Sequence, residues 1–266
     1  VKCRNEMLNK DIILLQFGAS LIESNDFLIH LLNKFKLMEW ADPDFENSVR
    51  RGEEDSLRQT IMLVEELLAL IITIVSERYV VGVGKVIEKD CIKKEIIQQL
   101  CIKPLSHSEL SKALPDNDTH DTNIDAIIDE VATFEKPATG SGKGLYKLKP
   151  EYYDQYNVFF YHYTKEELSK SEEAQRKRRY KESSLDCCPP PPLPPLTDVF
   201  APMLVNLLQC DVMFYIIQLV LKRASDLHAR SFSESQLHRV LYLISFALNE
   251  EQSRDCDYFL FTERCE

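Results

Sequence analysis

The chain has 266 residues, 44% of them hydrophobic, and its 43 acidic against 32 basic side chains give a net charge of −11. That composition builds packed cores rather than a disordered polymer, and the length fits one large domain or two small ones. It excludes a nucleic-acid binder held by a global positive field, because phosphate neutralisation needs clustered Lys and Arg. Seven glycines are too few for many hairpins or phosphate loops, so the fold class implied is mainly α.

Residues 1–84 read as a helical block. Two amphipathic stretches, around Asp11 to Ile22 and Asn25 to Trp40, carry Leu, Ile and Phe at helical spacing. Pro43 marks a loop, and a stronger helix follows from Asp55 to Tyr79, with Leu57, Ile61, Val64, Leu68, Ile71, Ile72 and Val75 on one stripe. The apolar stretch within 61–81 is what a hydropathy scan would flag, but Glu65, Glu66, Glu77 and Arg78 bound it. A buried bundle helix is therefore expected instead of a membrane span.

Residues 85–150 change texture. Asp90 is the expected N-cap of a helix carrying Ile92, Ile96, Ile97 and Leu100, and Pro104 ends it. Ser106 and Glu109 form an S-x-x-E capping box opening a short helix that Pro115 closes. A third helix repeats Ile124, Ile127, Ile128, Val131 and Phe134. Gly140, Gly142 and Gly144 follow, then the alternating LYKLK, which reads as a strand. Three helices and a glycine-tipped hairpin give the order of a winged-helix domain, so a helical scaffold with an embedded winged helix and a small β-hairpin is expected.

Residues 151–199 form an aromatic and charged segment, YYDQYNVFFYHY then TKEELSKSEEAQRKRRYKES, followed by the proline run CCPPPPLPPL, which must be extended. Residues 200–266 give a second helical block, with Ser233 and Gln236 as a further capping pair.

Several motifs are weighed against bland readings. GSGKG lacks the spacing and the hydroxyl of a phosphate loop, and it follows a helix instead of a strand, so it reads as the wing tip. The third helix carries Asp125, Asp129 and Glu130 and no cation, and residues 85–150 hold ten Lys and no Arg against eleven acids. Such a helix repels duplex DNA. A protein-interaction surface is expected instead, formed by Asp125, Asp129, Glu130, Lys143 and Lys147. The basic cluster Arg176, Lys177, Arg178 and Arg179 could be a nucleic-acid or nuclear-import patch, but acids spaced four residues away favour a solvated helix. The proline run offers P-x-x-P registers, although a stiff spacer is its commoner use.

The eight cysteines include no CxxC pair and no nearby histidine set, so reduced core thiols are expected, with no metal site and no cofactor in this segment. The six histidines form no catalytic signature, and no catalytic residue is assigned. With no leader and no initiator Met, the chain reads as a cytoplasmic piece of something longer. The silent sequon Asn117-Asp118-Thr119 adds nothing.

EELLALIITIVSERYVVGVGKV, KEIIQQLCIKPLSHSELSKALP, IIDEVATFEKP with GKGLYKLKPE, and VFFYHYTKEELSKSEEAQRKRR before the prolines follow one another in an order that resembles the central region of the UBR-family, N-recognin type RING E3 ubiquitin ligases. The resemblance covers about residues 55–250. Val81, where proline is expected, and the CC before the proline run fit a divergent paralogue such as the third mammalian member. It implies a large parent enzyme that brings a degradation substrate to a ubiquitin-charged, Rad6-like E2, with zinc in a substrate box and a RING that this segment does not contain. No ligand of those zinc sites and no E2-contact residue transfers to a position here. A nucleic-acid-binding winged helix and an adaptor acting through the proline run are the alternatives.

Overall fold

The computed structural model describes residues 2–49, 54–114, 124–136, 144–181, 189–253 and 261–264, with side chains for all except 2–5, 48–49, 181 and 253. Its contacts group the chain into two units: Val1–Asn9 with Glu77–Thr197, and Lys10–Ser76 with Asp198–Glu266.

The described elements are α1 (Lys2–Leu21), α2 (Ser24–Lys34), α3 (Phe45–Val49), α4 (Glu54–Ser76), α5 (Glu88–Ile102), α6 (His107–Ala113), α7 (Ile124–Val131), strands β1 (Ala132–Glu135) and β2 (Leu145–Leu148), a 3-10 helix (Pro150–Gln155), α8 (Lys165–Lys181), α9 (Pro202–Leu208), α10 (Asp211–Ser225) and α11 (Glu234–Ser253). The fold is mainly α with one two-stranded antiparallel hairpin, as the sequence implies.

The helical unit, Lys10–Ser76 with Asp198–Glu266, is built around α4, which packs on α11 and α9, while α10 packs on α2, α9 and α11. Leu67, Leu68, Ile71, Ile72, Ile74 and Val75 are buried. Among the described residues α4 is the only single helix long and apolar enough to cross a membrane; α9 and α10 pass together only across a 44° bend. Here the second half of α4 is the interior of its unit, as its bounding charges imply.

Helix α1 departs from the expected pattern. It buries Gln16 (0% exposed) with Ile12, Ala19 and Ser20, while Leu14 and Leu21 face solvent. The inversion has a long-range cause: Gln16 Nε2 donates to the Ile74 carbonyl at 2.9 Å, and Asn206 Nδ2 donates to that of Ala19 at 3.0 Å. Polar side chains thus act as α1's glue.

A second buried polar cluster closes the helical unit. The Arg223 guanidinium lies 4.9 Å over the Trp40 ring and 5.4 Å over that of Phe45, donates from Nη2 to the Trp40 carbonyl at 2.7 Å, and has Glu46 at 3.5 Å. Glu46 also accepts from the Arg230 amide (2.9 Å) and from Ser231. Removing one partner strands the others in a low-dielectric site. Arg223→Ala is therefore expected to destabilise the chain by about 3 kcal/mol in urea unfolding, with Arg223→Lys costing less because it keeps the charge.

In the other unit α5 is central, touching α6, α7, α8, the 3-10 helix and β2. Asp90 sits in the first turn of α5 instead of capping it, and its carboxylate accepts the Ile87 amide at 3.0 Å; Ile87 takes the cap position. The Ser106–Glu109 box forms as expected. The hairpin register pairs Ala132 with Leu148 and Phe134 with Tyr146. Leu105 and Tyr146 exchange two backbone bonds of 3.1 and 2.7 Å, a one-residue third strand completing the winged-helix order. Helix α7 stops at Val131, so Phe134, expected on the helix, lies on β1 with 51% of its surface exposed.

Candidate interaction surface of the winged helix

The polar face of α5 decides what the unit can expose. Lys94 Nζ bonds Glu77 Oε2 at 2.6 Å, with both side chains nearly sealed from water, and sits 4.7 Å over the Phe160 ring and 5.5 Å over those of Tyr79 and Tyr161. Cation–π contact and the ion pair together compensate burial of the ammonium. Glu95 Oε1 meets His162 Nδ1 at 3.0 Å; His162 Nε2 and Tyr161 Oη both meet Asn9 Oδ1, at 2.9 and 2.7 Å. Burial first, then the nearby Glu77 and Glu95 carboxylates, push the Tyr161 phenol well up. Gln98 donates to the Gln155 carbonyl at 2.7 Å and accepts the Asn157 amide at 3.0 Å, while Tyr163 Oη donates to the Gln98 carbonyl at 2.5 Å. The Glu95 and Gln98 bonds fasten the segment after Pro150 to the winged helix, and the Asn9 bonds fasten α1 to that segment.

The proline run is neither a free spacer nor a free ligand. Pro190 and Pro191 are buried, Arg78 Nη1 donates to the Pro194 carbonyl at 3.2 Å, the Lys85 amide to that of Pro195 at 2.8 Å, and the Thr197 amide to that of Val83 at 2.8 Å. Gly84 lets the turn beneath this strand close, because a Cβ there would stand 2.0 Å from the Arg78 carbonyl oxygen. With carbonyls and one face already engaged, the strand has little left to offer an SH3-type groove.

The five residues expected to form the interaction surface divide. Glu130 is held by Lys93 at 2.6 Å and Lys89 at 2.9 Å, and the hydrogen bonds from these two lysines, Lys93 first, pull its carboxyl from 4.5 down to about 2. Its role is to tie α7 to α5. Lys147 pairs with Glu135 across the hairpin at 3.4 Å, and Lys149, on the same strand end, donates to the Asp129 and Glu130 carbonyls at 2.8 and 2.7 Å. Asp125 and Asp129 remain exposed, four residues apart on α7, and the Asp125 side chain, 76% exposed, meets His107 Nε2 at 2.7 Å. Lys143 lies outside the described residues, as do Gly140, Gly142 and the Asn117 sequon.

The basic cluster divides as well. Arg178 stacks 4.7 Å over the Tyr153 ring and donates to Gln175 Oε1 at 3.2 Å, while Gln175 itself donates to the Cys101 carbonyl at 3.1 Å, so Arg178 helps fix α8 on its own unit. Lys177 pairs with Glu173 at 2.6 Å, as the spacing predicts. Arg176 is exposed and Arg179 half-buried. The four cations thus do not form one uniform patch.

Cys101 and Cys210 are buried free thiols and Cys91 is half-buried, with burial the main cause pushing the Cys91 thiol up to about 11, so it is a poor nucleophile. The other five cysteine side chains lie outside the described residues. Among those described, no group of three His, Cys, Asp or Glu side chains is placed to hold a metal ion.

A helix–helix–helix–hairpin order with its wing on β1 and β2 defines a winged-helix domain, and residues 91–190 match the family described as E3 ubiquitin-protein ligase UBR1-like, winged-helix domain. The chain is 46% identical over 267 residues to the E3 ubiquitin-protein ligase UBR1 of Drosophila melanogaster, covering 99% of this chain and 15% of that protein. It is 45% identical over 255 residues to the human E3 ubiquitin-protein ligase UBR2, covering 95% and 14%, and 34% identical over 275 residues to the Caenorhabditis elegans ligase ubr-1, covering 99% and 13%. The chain belongs to the UBR family and corresponds to about one seventh of the length of these relatives.

The depressed Glu130 carboxyl makes a signed prediction. Folded-state stabilisation is present above its unfolded value and is lost as pH falls through its folded one. Glu130→Gln should cost about 0.5–1 kcal/mol at pH 7, a partly exposed pair being worth no more. The difference from the unsubstituted chain should shrink below pH 4.5 and vanish near about 2, read from urea unfolding at each pH.

Proposed function

We propose that this segment is the scaffold of an E3 ubiquitin ligase, holding a degradation substrate at a fixed distance and angle from a ubiquitin-charged E2. The observation that carries the reading is the near end-to-end similarity to proteins named as such ligases, joined to a unit whose buried polar groups are spent on fixing its own geometry. A scaffold accelerates transfer by proximity, since a substrate lysine held near a thioester reacts in an effectively unimolecular step. Stiffness is what that role requires. A Rad6-like E2, a cytoplasmic setting and zinc in a substrate box and RING of the parent protein belong to the same proposal, as does a protein-facing surface formed by Asp125, Asp129 and the hairpin around Lys147.

The nucleic-acid alternative is weakened by where the cations go. Lys89, Lys93, Lys147 and Lys149 each bond to acids or carbonyls of their own unit, and the exposed side of α7 presents Asp125 and Asp129 to any approaching phosphate.

The test is ubiquitin discharge from a charged E2. The isolated 266-residue chain should leave the E2 thioester at its background rate. In the parent ligase Gly84→Val, which disturbs the turn that the proline strand docks on, should lower substrate polyubiquitination several-fold and leave substrate-free discharge unchanged. Discharge by the isolated chain, or an equal loss of both activities in the variant, contradicts scaffolding.

A further inference from the structure

Four side chains on the winged helix form a strip, exposed at Phe134, His107 and Asp125 and half-buried at Tyr146, whose own ion pair is the His107–Asp125 contact. The Phe134 and Tyr146 rings are tilted against each other with centroids 5.2 Å apart, Tyr146 and His107 lie 6.5 Å apart, and His107 Nε2 meets Asp125 Oδ1 at 2.7 Å. Tyr146 is fixed by its two backbone bonds to Leu105. Phe134 is fixed by lying against Gly144, where a Cβ would come within 2.1 Å of the ring. The glycine is therefore required by the ring. Phe134 and Tyr146 share the hairpin face of Ala132 and Leu148 but lie beyond the core those residues fill. The strand that carries Phe134 is exposed from Thr133 to Glu135, and β2 is its only strand partner among the described residues.

The charge beside the strip divides between groups held within the unit and exposed groups of both signs. Lys147 is held by Glu135, Lys149 by two carbonyls, and Lys89 and Lys93 by Glu130, whereas Asp125 and Asp129 present carboxylates on one face of α7. Lys136, exposed just after β1, and Lys112 on α6 are the opposing cations. Aromatic faces carry negative potential, and a carboxylate at the end of an aromatic strip adds to it, so the chemistry selects a cation on a partly apolar stem.

We propose that the Phe134–Tyr146–His107–Asp125 strip is a docking site for a Lys- or Arg-bearing peptide segment of a protein partner. An arginine fits best: its planar guanidinium stacks on the rings while its N–H fork reaches the Asp125 carboxylate. This deepens the reading of the winged helix as a protein-facing surface and rests on it. The partner's backbone runs along the hairpin, with apolar neighbours of the cation resting on Phe134.

The probe is a capped peptide, Gly-Leu-Arg-Leu-Arg-Gly, titrated into the full 266-residue chain at 0.1 M salt and followed by backbone and aromatic NMR shifts, against a Glu-for-Arg counterpart and a short DNA duplex. The expected result is saturable shifts centred on His107, Asp125, Phe134 and Tyr146 with the Arg peptide alone. Affinity should fall about three- to tenfold in Asp125→Asn and by at least as much in Phe134→Ser, the exposed Asp125 change keeping the test interpretable should Phe134→Ser disturb the hairpin. No shifts at these residues, equal binding of the Glu peptide, preference for the duplex, or full affinity in Asp125→Asn overturns the proposal. The discharge assay is independent of this titration, so failure of the docking site and failure of scaffolding are distinguishable.

Discussion

Helix α5 buries Lys94, Glu95 and Gln98, three side chains that ordinarily face water, and most of the winged-helix unit depends on how they are satisfied. Left unpaired they would unfold the helix from its neighbours, since a buried charge without a partner costs several kcal/mol. Each is met by a group far away in sequence: Glu77, His162, the Gln155 carbonyl, the Asn157 amide. Apolar packing alone would hold the aromatic segment loosely. Directional bonds to α5 set one register for it, the use to which buried polar pairs are best suited.

That constraint connects fold to function. Once residues 151–163 are seated on α5, α8 follows, with Tyr156 bonding Ser171 at 2.9 Å and Gln175 reaching Cys101. The proline strand then closes over residues 78–85 through backbone bonds. The winged helix is therefore enclosed on the side where α5 lies, while Phe134 and Asp129 are exposed and Asp125 is held by His107. The proposed scaffold calls for such a division between a face that fixes geometry and a face that makes contact.

Much of the architecture is legible in the sequence. The helices α4, α6 and α7 are announced by apolar spacing and by the Ser106–Glu109 box, and strand β2 by the alternating LYKLK. The misreadings share one physical origin, long-range pairing that periodicity does not encode. Glu77 and Arg78 look like the polar end of a helix, yet both are buried by partners 17 and 116 residues away. Helix α1 shows Leu, Ile and Phe at helical spacing, yet Gln16 is its innermost residue because a carbonyl on α4 awaits it. Phe134 follows Val131 by three and so continues the helical stripe on paper; the chain leaves the helix at Ala132 because β2 supplies a strand partner. The same blindness to long-range pairing misplaced Glu130. Glu130, grouped with the exposed acids from sequence, is occupied by two lysines on α5 whose approach only the fold reveals.

Native-state hydrogen exchange on the 266-residue chain tests the central claim most directly. If polar docking on α5 makes the winged helix, residues 151–163 and α8 one body, the amides of α5 and of α8 from Leu168 to Gln175 should open together, with the same denaturant dependence. Protection that collapses early in 151–175 while α5, α6 and α7 stay closed would contradict it, leaving the aromatic segment an appendage and the scaffold without its stiffness.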